Sequence, residues 1–394
     1  MKWPTVRLGQ VCRVVPGFAF KSEDWSTAGI PVVKIKNIRE DTTVDLSESD
    51  CVPPVLLTPR LSKFVLKNNN ILVAMTGATA GKVGRLRTTV PVLLNQRVAK
   101  IAPEAADPRF IWSVVSSRQY QDLFFRLADG AAQPNMSGGQ IEGVEIPNPP
   151  LDVQRRIGDI LSAYDDLIEN NTRRIGILEE MARRIYGEWF VRFRFPGHEG
   201  VRMVESELGL VPEGWDVARL DDVLVLQRGF DLPKQNRTEG PFPIISATGA
   251  SATHREHRVK GPGVVTGRSG SLGTVMYVES DFWPLNTTLW VKEFVVGSAL
   301  YAFYVLQSID LAGFNSGAAV PTLNRSDVHG QPVLRPTIDV LARFNEVAAP
   351  VLKLKRRLEL TNTNLRTTRD LLLPKLISGE LDVSALPEPE AVAP

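Results

Sequence analysis

Two cysteines and four histidines in 394 residues leave little material for metal or redox chemistry. Cys12 and Cys51 have no CxxC spacing and no Cys/His cluster around them, which argues against a zinc framework or a disulfide scaffold and leaves two expected reduced thiols. Long apolar runs are also missing. None approaches the roughly 20 residues of a spanning helix, and Met1 opens into a Trp-Pro segment instead of a signal peptide. A cytoplasmic protein with no membrane partner is the expectation. Neither charge sign dominates: 46 Lys and Arg face 44 Asp and Glu, for a net charge of +2. That balance is too mild to establish a nucleic-acid partner, and it permits one where positive charge is concentrated locally. With 43% hydrophobic and 23% charged residues the chain is neither disordered nor collagen-like in composition. No Ser/His/Asp constellation, paired catalytic carboxylates or acidic cluster at nuclease spacing is evident, so no catalytic centre and no cofactor or metal of its own is expected.

What the sequence does contain is written twice. Residues 3–20 align without a gap onto residues 215–232, with Trp3/Trp215, Arg7/Arg219, Leu8/Leu220, Val11/Val223, Gly17/Gly229 and Phe18/Phe230 coinciding. The register carries IPVVKI at 30–35 onto FPIISA at 242–247. After a length change, TGATAGKV at 76–83 matches RSGSLGTV at 268–275, each a Gly-rich turn between two apolar strand-like runs. Leu94-Asn95 then matches Leu285-Asn286, and GAAQPNMS at 130–137 matches GAAVPTLN at 317–324. Short β-branched runs at 71–75, 90–94, 264–266 and 275–278 predict strands, and amphipathic helices are expected at 108–127 and 298–311.

Each copy ends in a long helical segment introduced by proline. Ile157, Tyr164, Asn171, Leu178 and Ile185 recur every seven residues, as do Leu161, Ile168, Ile175, Ala182 and Trp189. In the second copy Phe344, Val351, Leu358, Leu365 and Leu372 form one seam, and Val347, Leu354, Thr361 and Thr368 are expected to form the other. A narrow apolar stripe needs a partner helix. Antiparallel pairing within the chain satisfies it; a homodimeric coiled coil is the alternative. Asn171, with Asn362 and Thr361, is suited to fixing register by leaving a buried amide unpaired in other alignments. The fold class is therefore mixed α/β (α+β), with two pseudo-repeated modules separated by two long antiparallel coiled-coil helices.

Three short motifs suggest chemistry and fall short of it. Asn148-Pro149-Pro150 resembles the catalytic tetrapeptide of amino-methyltransferases, but Leu151 stands where an aromatic must stack on a flipped base, and the second copy reads Arg-Pro-Thr. A helix start explains it better. GATAGKV at 77–83 is one residue short of a phosphate-binding loop and ends in Val83 instead of Ser or Thr, so a strand-turn-strand is expected. His254 and His257 lie in HREHRVK with no cysteine nearby and a single acid, Glu256, among three basic residues, which makes a basic loop, solvated or facing DNA, the better interpretation.

The repeat beginning W-x-x-x-R-L, PPLDVQRRIGDILSAYDDLIENN at 149–171, YGEWFVRFRFPG at 186–197 with GLVPEGW at 209–215, and LLLPKLISGEL at 371–381 closely resemble the specificity subunit of type I restriction-modification systems. The resemblance implies target-recognition domains at 1–148 and 213–336, helical spacers at 149–192 and 337–378, a linker at 193–212 and a tail at 379–394. It implies a bipartite asymmetric site on double-stranded DNA, each module reading one half, with the helices as a ruler. It also implies a non-catalytic subunit that assembles with two modification subunits, which use S-adenosylmethionine to methylate adenine N6, and with restriction subunits that use ATP and Mg to translocate and cut DNA. One departure is that Lys355 and Arg369 stand where the first helix has Ile168 and Ala182.

Base reading needs Arg for guanine and Asn or Gln for adenine, with phosphate contacts setting the register. The candidate loops of the first module carry Lys34, Lys36, Asn37 and Arg39; Lys82, Arg85 and Arg87; Gln96 and Arg97; and Gln133, Asn135 and Ser137. Those of the second carry Gln235, Asn236 and Arg237; His254, Arg255 and Arg258; Arg268 and Ser269; and Asn324 and Arg325. Helices of roughly 35 residues span about 50 Å, more than one DNA turn of about 34 Å. Because the candidate side chains differ between copies, the two half-sites are expected to differ.

Overall fold

The computed structural model describes residues 3–128, 135–317 and 319–384. Its chain forms two compact units, one of Met1–Asn171 with Thr361–Pro394 and one of Thr172–Leu360. In the first, the chain runs through β1 (Thr5–Arg7), β2 (Cys12–Pro16), β3 (Ile30–Val33), β4 (Cys51–Val52), the short α1 (Pro59–Ser62), β5 (Val65–Leu66), β6 (Ile71–Ala74), β7 (Val83–Arg85), β8 (Val92–Leu94) and β9 (Val98–Pro103). Helices α2 (Pro108–Ser116), α3 (Arg118–Leu127) and α4 (Gly138–Glu142) follow, then β10 (Glu145–Pro147) and α5 (Leu151–Tyr186). The single helix expected at 108–127 is broken. At Ser117 the backbone turns extended, and its hydroxyl donates to the Val114 carbonyl at 2.8 Å, satisfying the end of α2.

The second unit opens with a hairpin, β11 (Met203–Ser206) and β12 (Gly209–Pro212), inside the stretch expected to be a linker. It continues through β13 (Asp216–Arg219), β14 (Leu224–Arg228), β15 (Phe242–Ser246), β16 (Gly249–His254), β17 (Gly263–Gly267), β18 (Val275–Val278), β19 (Trp283–Pro284) and β20 (Thr288–Phe294). It ends with α6 (Ala299–Ser308), α7 (Arg325–His329), β21 (Pro332–Arg335) and α8 (Ile338–Ser378).

The duplicated sequence folds into a duplicated topology. The order β2-β9-β6-β7 in one unit is β14-β20-β17-β18 in the other, and the pair β1-β10 becomes β13-β21. In each, one parallel pair, β3 with β8 or β15 with β19, anchors a second sheet. The invariant Gly-Phe of the repeat marks a close backbone crossing: a Cβ on Gly17 would lie 2.2 Å from the Asn95 carbonyl oxygen, and one on Gly229 would lie 2.2 Å from that of Leu285. Only glycine permits this approach.

Each long helix gives one half to each unit. In the first unit Val153, Ile157 and Leu161 of α5 share a core with Leu376 and Ile377 of α8 and with Val383 beyond it. In the second, Ala182 of α5 packs with Leu341, Phe344, Ala348 and Leu352 of α8. In both units the early half of one helix meets the late half of the other, so the pairing is antiparallel. Trp189, Phe190 and Phe195 continue α5 into the second core, where Phe195 stacks on Trp215 with ring centroids 5.4 Å apart.

The first helix uses the predicted seam, with Ile157, Leu161, Ile168, Asn171 and Ala182 buried. In α8 the second seam is shifted by one residue. Val347 and Leu354 are exposed at 46% and 40%, and Thr361 and Thr368 face solvent. The positions that turn inward carry Ala348, Lys355, Asn362 and Arg369. Polarity hid this register. Each polar side chain meets a polar partner: Lys355 meets Glu179 at 2.8 Å, Asn362 accepts from Asn171 at 3.0 Å, and Arg369 meets Asp165 at 2.7 Å. Buried polar groups are tolerated on that condition.

Candidate nucleic-acid interface

Three loop segments converge at one place in the first unit. The Met75 amide donates to the Arg97 carbonyl at 2.9 Å, and the Met136 amide donates to the Met75 carbonyl at 2.8 Å. Thr76 forms an antiparallel bridge with Asn135, while Phe18 bridges Asn95 and accepts from the Gln96 amide at 2.8 Å. The second unit repeats the junction. The amides of Arg268 and Ser269 donate to the Thr287 carbonyl at 2.8 and 3.1 Å, and the Leu323 amide donates to that of Arg268 at 2.8 Å. Ser269 bridges Thr322, and Phe230 bridges Leu285. These contacts are made by backbone, so the side chains of the loops are free to differ without disturbing the scaffold.

The junction gathers many of the predicted candidates. Gln96, Arg97 and Asn135 are exposed there in the first unit, as is Arg325 in the second, where Arg268 and Ser269 are half-buried. Among the described residues no acid pairs with Arg97 or Arg325. Ser137 and Asn324, at matching positions, cap α4 and α7 through the amides of Gln140 and Ser326. Thr76 and Thr287 bury hydroxyl oxygens that have no partner among the described residues. Gln133 lies outside the described residues.

Other candidates are committed to their own module. Lys34 and Lys36 both reach Asp50 at 3.0 Å, and Lys34 also lies 3.4 Å over the Trp25 ring. Asn37 is buried, donating to the Asp45 carbonyl at 2.8 Å. Arg39 meets Asp45 at 2.6 Å; the Ser47 amide and hydroxyl, and then Arg39, hold that carboxyl down to about 2. Lys82 meets Glu40 at 2.5 Å. Arg85 and Arg87 turn toward α5, meeting Asp165 at 3.4 Å and Glu169 at 2.7 Å. Burial lowers the Arg85 pKa. In the second unit His254 is buried edge-on to Trp283, ring centroids 5.2 Å apart, with Nδ1 3.1 Å from the Thr238 nitrogen. Arg237 donates to the Leu232 carbonyl at 3.3 Å, Arg258 lies 4.7 Å over Trp283, and Arg255 is 3.7 Å from Glu256. Gln235 and Asn236 are exposed on a short turn. A cation's acidic partner is set by the fold, which is why its commitment is invisible in a local sequence window.

The three tempting motifs have structural roles. Asn148-Pro149-Pro150 leads into α5, with Gln154 donating to the Asn148 side chain at 3.0 Å and the Pro149 carbonyl at 2.9 Å. GATAGKV closes the β6–β7 hairpin. His257 is 3.5 Å from Asp281. Among the described residues there is no group of three or more metal-binding side chains, and no helix is long and apolar enough to cross a membrane. Sequence reasoning missed one matched pair: the Val14 amide donates to Glu142 at 2.8 Å, and the equivalent Leu226 amide donates to His329 at 2.9 Å. Aligning α4 with α7 would have exposed it.

Comparison with known proteins agrees with this architecture. Residues 1–180 match the family described as type I restriction modification DNA specificity domain. The type I restriction enzyme MjaIX specificity subunit of Methanocaldococcus jannaschii is 24% identical over 330 residues, covering 75% of this chain and 74% of its own. The MjaVIII specificity subunit of the same organism is 26% identical over 222 residues, covering 52% of this chain and 51% of its own. In fold, the chain superposes with a TM-score of 0.64 on the S subunit of the M. genitalium type I restriction-modification system, at 16% identity and 96% coverage of both chains. Residues 1–180 therefore belong to the type I restriction modification DNA specificity domain family, and the chain that carries them resembles type I specificity subunits in sequence and fold.

Proposed function

We propose that this chain reads a bipartite, asymmetric sequence on double-stranded DNA and directs partner subunits to it, contributing no catalytic group of its own. The observation that carries the proposal is the duplicated three-segment junction: the same backbone scaffold presents different polar side chains in the two units. Gln96, Arg97, Asn135 and Ser137 read one half-site; Gln235, Asn236, Arg268, Ser269, Asn324 and Arg325 read the other. Arginine and asparagine supply the bidentate donors that distinguish guanine and adenine in the major groove.

The partners are two modification subunits, which supply S-adenosylmethionine-dependent adenine-N6 methylation, and restriction subunits, which supply ATP- and Mg-dependent cleavage. Support comes from the apolar side chains Val347, Leu354 and Leu371, which α8 leaves exposed although a two-helix seam does not use them. The site of action is the cytoplasm. The test maps methylated adenines genome-wide in cells with and without the gene, and repeats the map with Arg97→Ala and Arg325→Ala. Each substitution is expected to relax one half of the sequence and weaken binding about 10-fold or more, at roughly 1–3 kcal/mol per bidentate contact. A self-contained methyltransferase would instead methylate DNA as the purified chain alone, and a scaffold without specificity would bind random duplexes equally.

A further inference from the structure

The contact between each recognition module and its own long helix is built at matching positions with unlike chemistry. Superposing the repeats pairs Arg85 with Tyr277, since Ile71 faces Arg85 across β6–β7 as Val264 faces Tyr277 across β17–β18. The N-caps of α2 and α6, Asp107 and Ser298, pair Trp112 with Phe303. The contacts of Asp107 with Gly158 and of Ser298 with Asn345 pair α5 with α8 at an offset that matches Asp165 to Leu352 and Glu169 to Arg356.

In the first unit this seat is charged. Asp165, only 10% exposed, accepts from Trp112 at 2.7 Å and meets Arg85 at 3.4 Å and Arg369 at 2.7 Å. Arg85 also lies 5.0 Å over the Trp112 ring. In the second unit the same four positions hold Tyr277, Phe303, Leu352 and Ala182. The two rings pack edge to face with centroids 5.8 Å apart, and Leu352 and Ala182 are buried in the core beside them. At the rim the polarity is inverted. Arg87 of the first module meets Glu169 of α5 at 2.7 Å, whereas Glu279 of the second module meets Arg356 of α8 at 3.9 Å.

We propose that these residues form a docking code, so that each recognition module accepts its own helix and is refused by the other. A second module seated on α5 would place Glu279 against Glu169 and Asp166 and set Tyr277 over Asp165 in place of Arg85, leaving that carboxylate only Arg369 of its two cations. A first module seated on α8 would bury Arg85 against Leu352 and set Arg87 beside Arg356 and Lys353. Leaving a buried charge without its partner costs far more than a surface pair gains. Discrimination of this kind works by making the wrong pairing unfavourable. The unit of exchange between chains is then a module together with its helix half, and not the module alone. This goes beyond the reading of DNA and holds whatever sequence is read.

The test is a full-length chimera in which residues 3–147 are replaced by residues 215–334. It is expected to melt about 5 °C or more below the parent. Adding Asp165→Leu, Asp166→Lys, Glu169→Arg and Arg369→Ala recovers most of that loss, and the same four changes lower the melting temperature of the parent. A double-mutant cycle in the parent, Arg87→Glu with Glu169→Arg, is expected to be non-additive, the pair being more stable than the sum of the singles. A chimera as stable as the parent, four changes that fail to raise it, or an additive cycle each overturns the proposal.

Discussion

His329 and Glu142 do the same job with different chemistry, each accepting the amide of a first-sheet strand. Burial is the largest influence on His329 and lowers its pKa from the usual 6.5, so in the folded chain the ring is held neutral. The unfolded chain therefore takes up a proton more readily than the folded one. Stability of the second unit is fully held above about pH 6.5 and falls as the pH drops between 6.5 and the lowered folded value. Thermal melts from pH 7.5 to 5.5 are expected to show this loss in the parent and a smaller one in His329→Gln; parallel profiles would contradict it. Gly17 is the other informative residue. With a Cβ 2.2 Å from the Asn95 oxygen, Gly17→Ala forces two backbones apart and is expected to cost about 2 kcal/mol in a denaturant titration.

The long helices depend on a few polar pairs as much as on their apolar stripe. Asn171 donates to Asn362 at 3.0 Å, and Asn362 donates to the Ile168 carbonyl at 3.3 Å, both buried. Asn362→Leu alone strands the Asn171 amide and is expected to destabilise by about 1–3 kcal/mol. Replacing both by Leu is expected to be nearly neutral or stabilising, which urea melts of the three variants check. A four-residue insertion in α5 moves the seam off Ile168 and lowers the melting temperature, whereas one heptad added to each helix preserves it. The first helix was legible because Ile157, Leu161, Ile168 and Ala182 are apolar or small and fall on its two seven-residue series. The second misled because Val347 and Leu354 are apolar yet exposed, while Lys355, Asn362 and Arg369 turn inward to partners supplied by a distant segment. The loop junction was legible for a related reason, since both copies repeat its Gly, Asn and Pro punctuation. Arg85, Arg87 and His254 were not, because Asp165, Glu169 and Thr238 are their partners only once the chain has folded.

For the whole chain, module exchange is the decisive experiment. Replacing residues 3–171 with the corresponding module and helix half of another family member is expected to change one half of the methylated sequence and leave the other half intact, read by adenine-methylation mapping. A change in both halves would show that the modules do not read independently. The composition of the two units has a consequence for how the protein is made. The second unit is one uninterrupted stretch, Thr172–Leu360, whereas the core of the first includes Leu376, Ile377 and Val383 from the chain beyond it. Trp3 donates to the Leu376 carbonyl at 3.4 Å, and Arg156 reaches the Val383 carbonyl at 3.3 Å. On the ribosome, the module synthesised first therefore has to wait for the last segment to emerge, with Ile157 and Leu161 uncovered for the interval in which the later module is already closing. At about 5–20 residues per second that interval lasts on the order of ten seconds or more, long enough for chaperones to hold the early half and for a neighbouring nascent chain to offer the wrong helix.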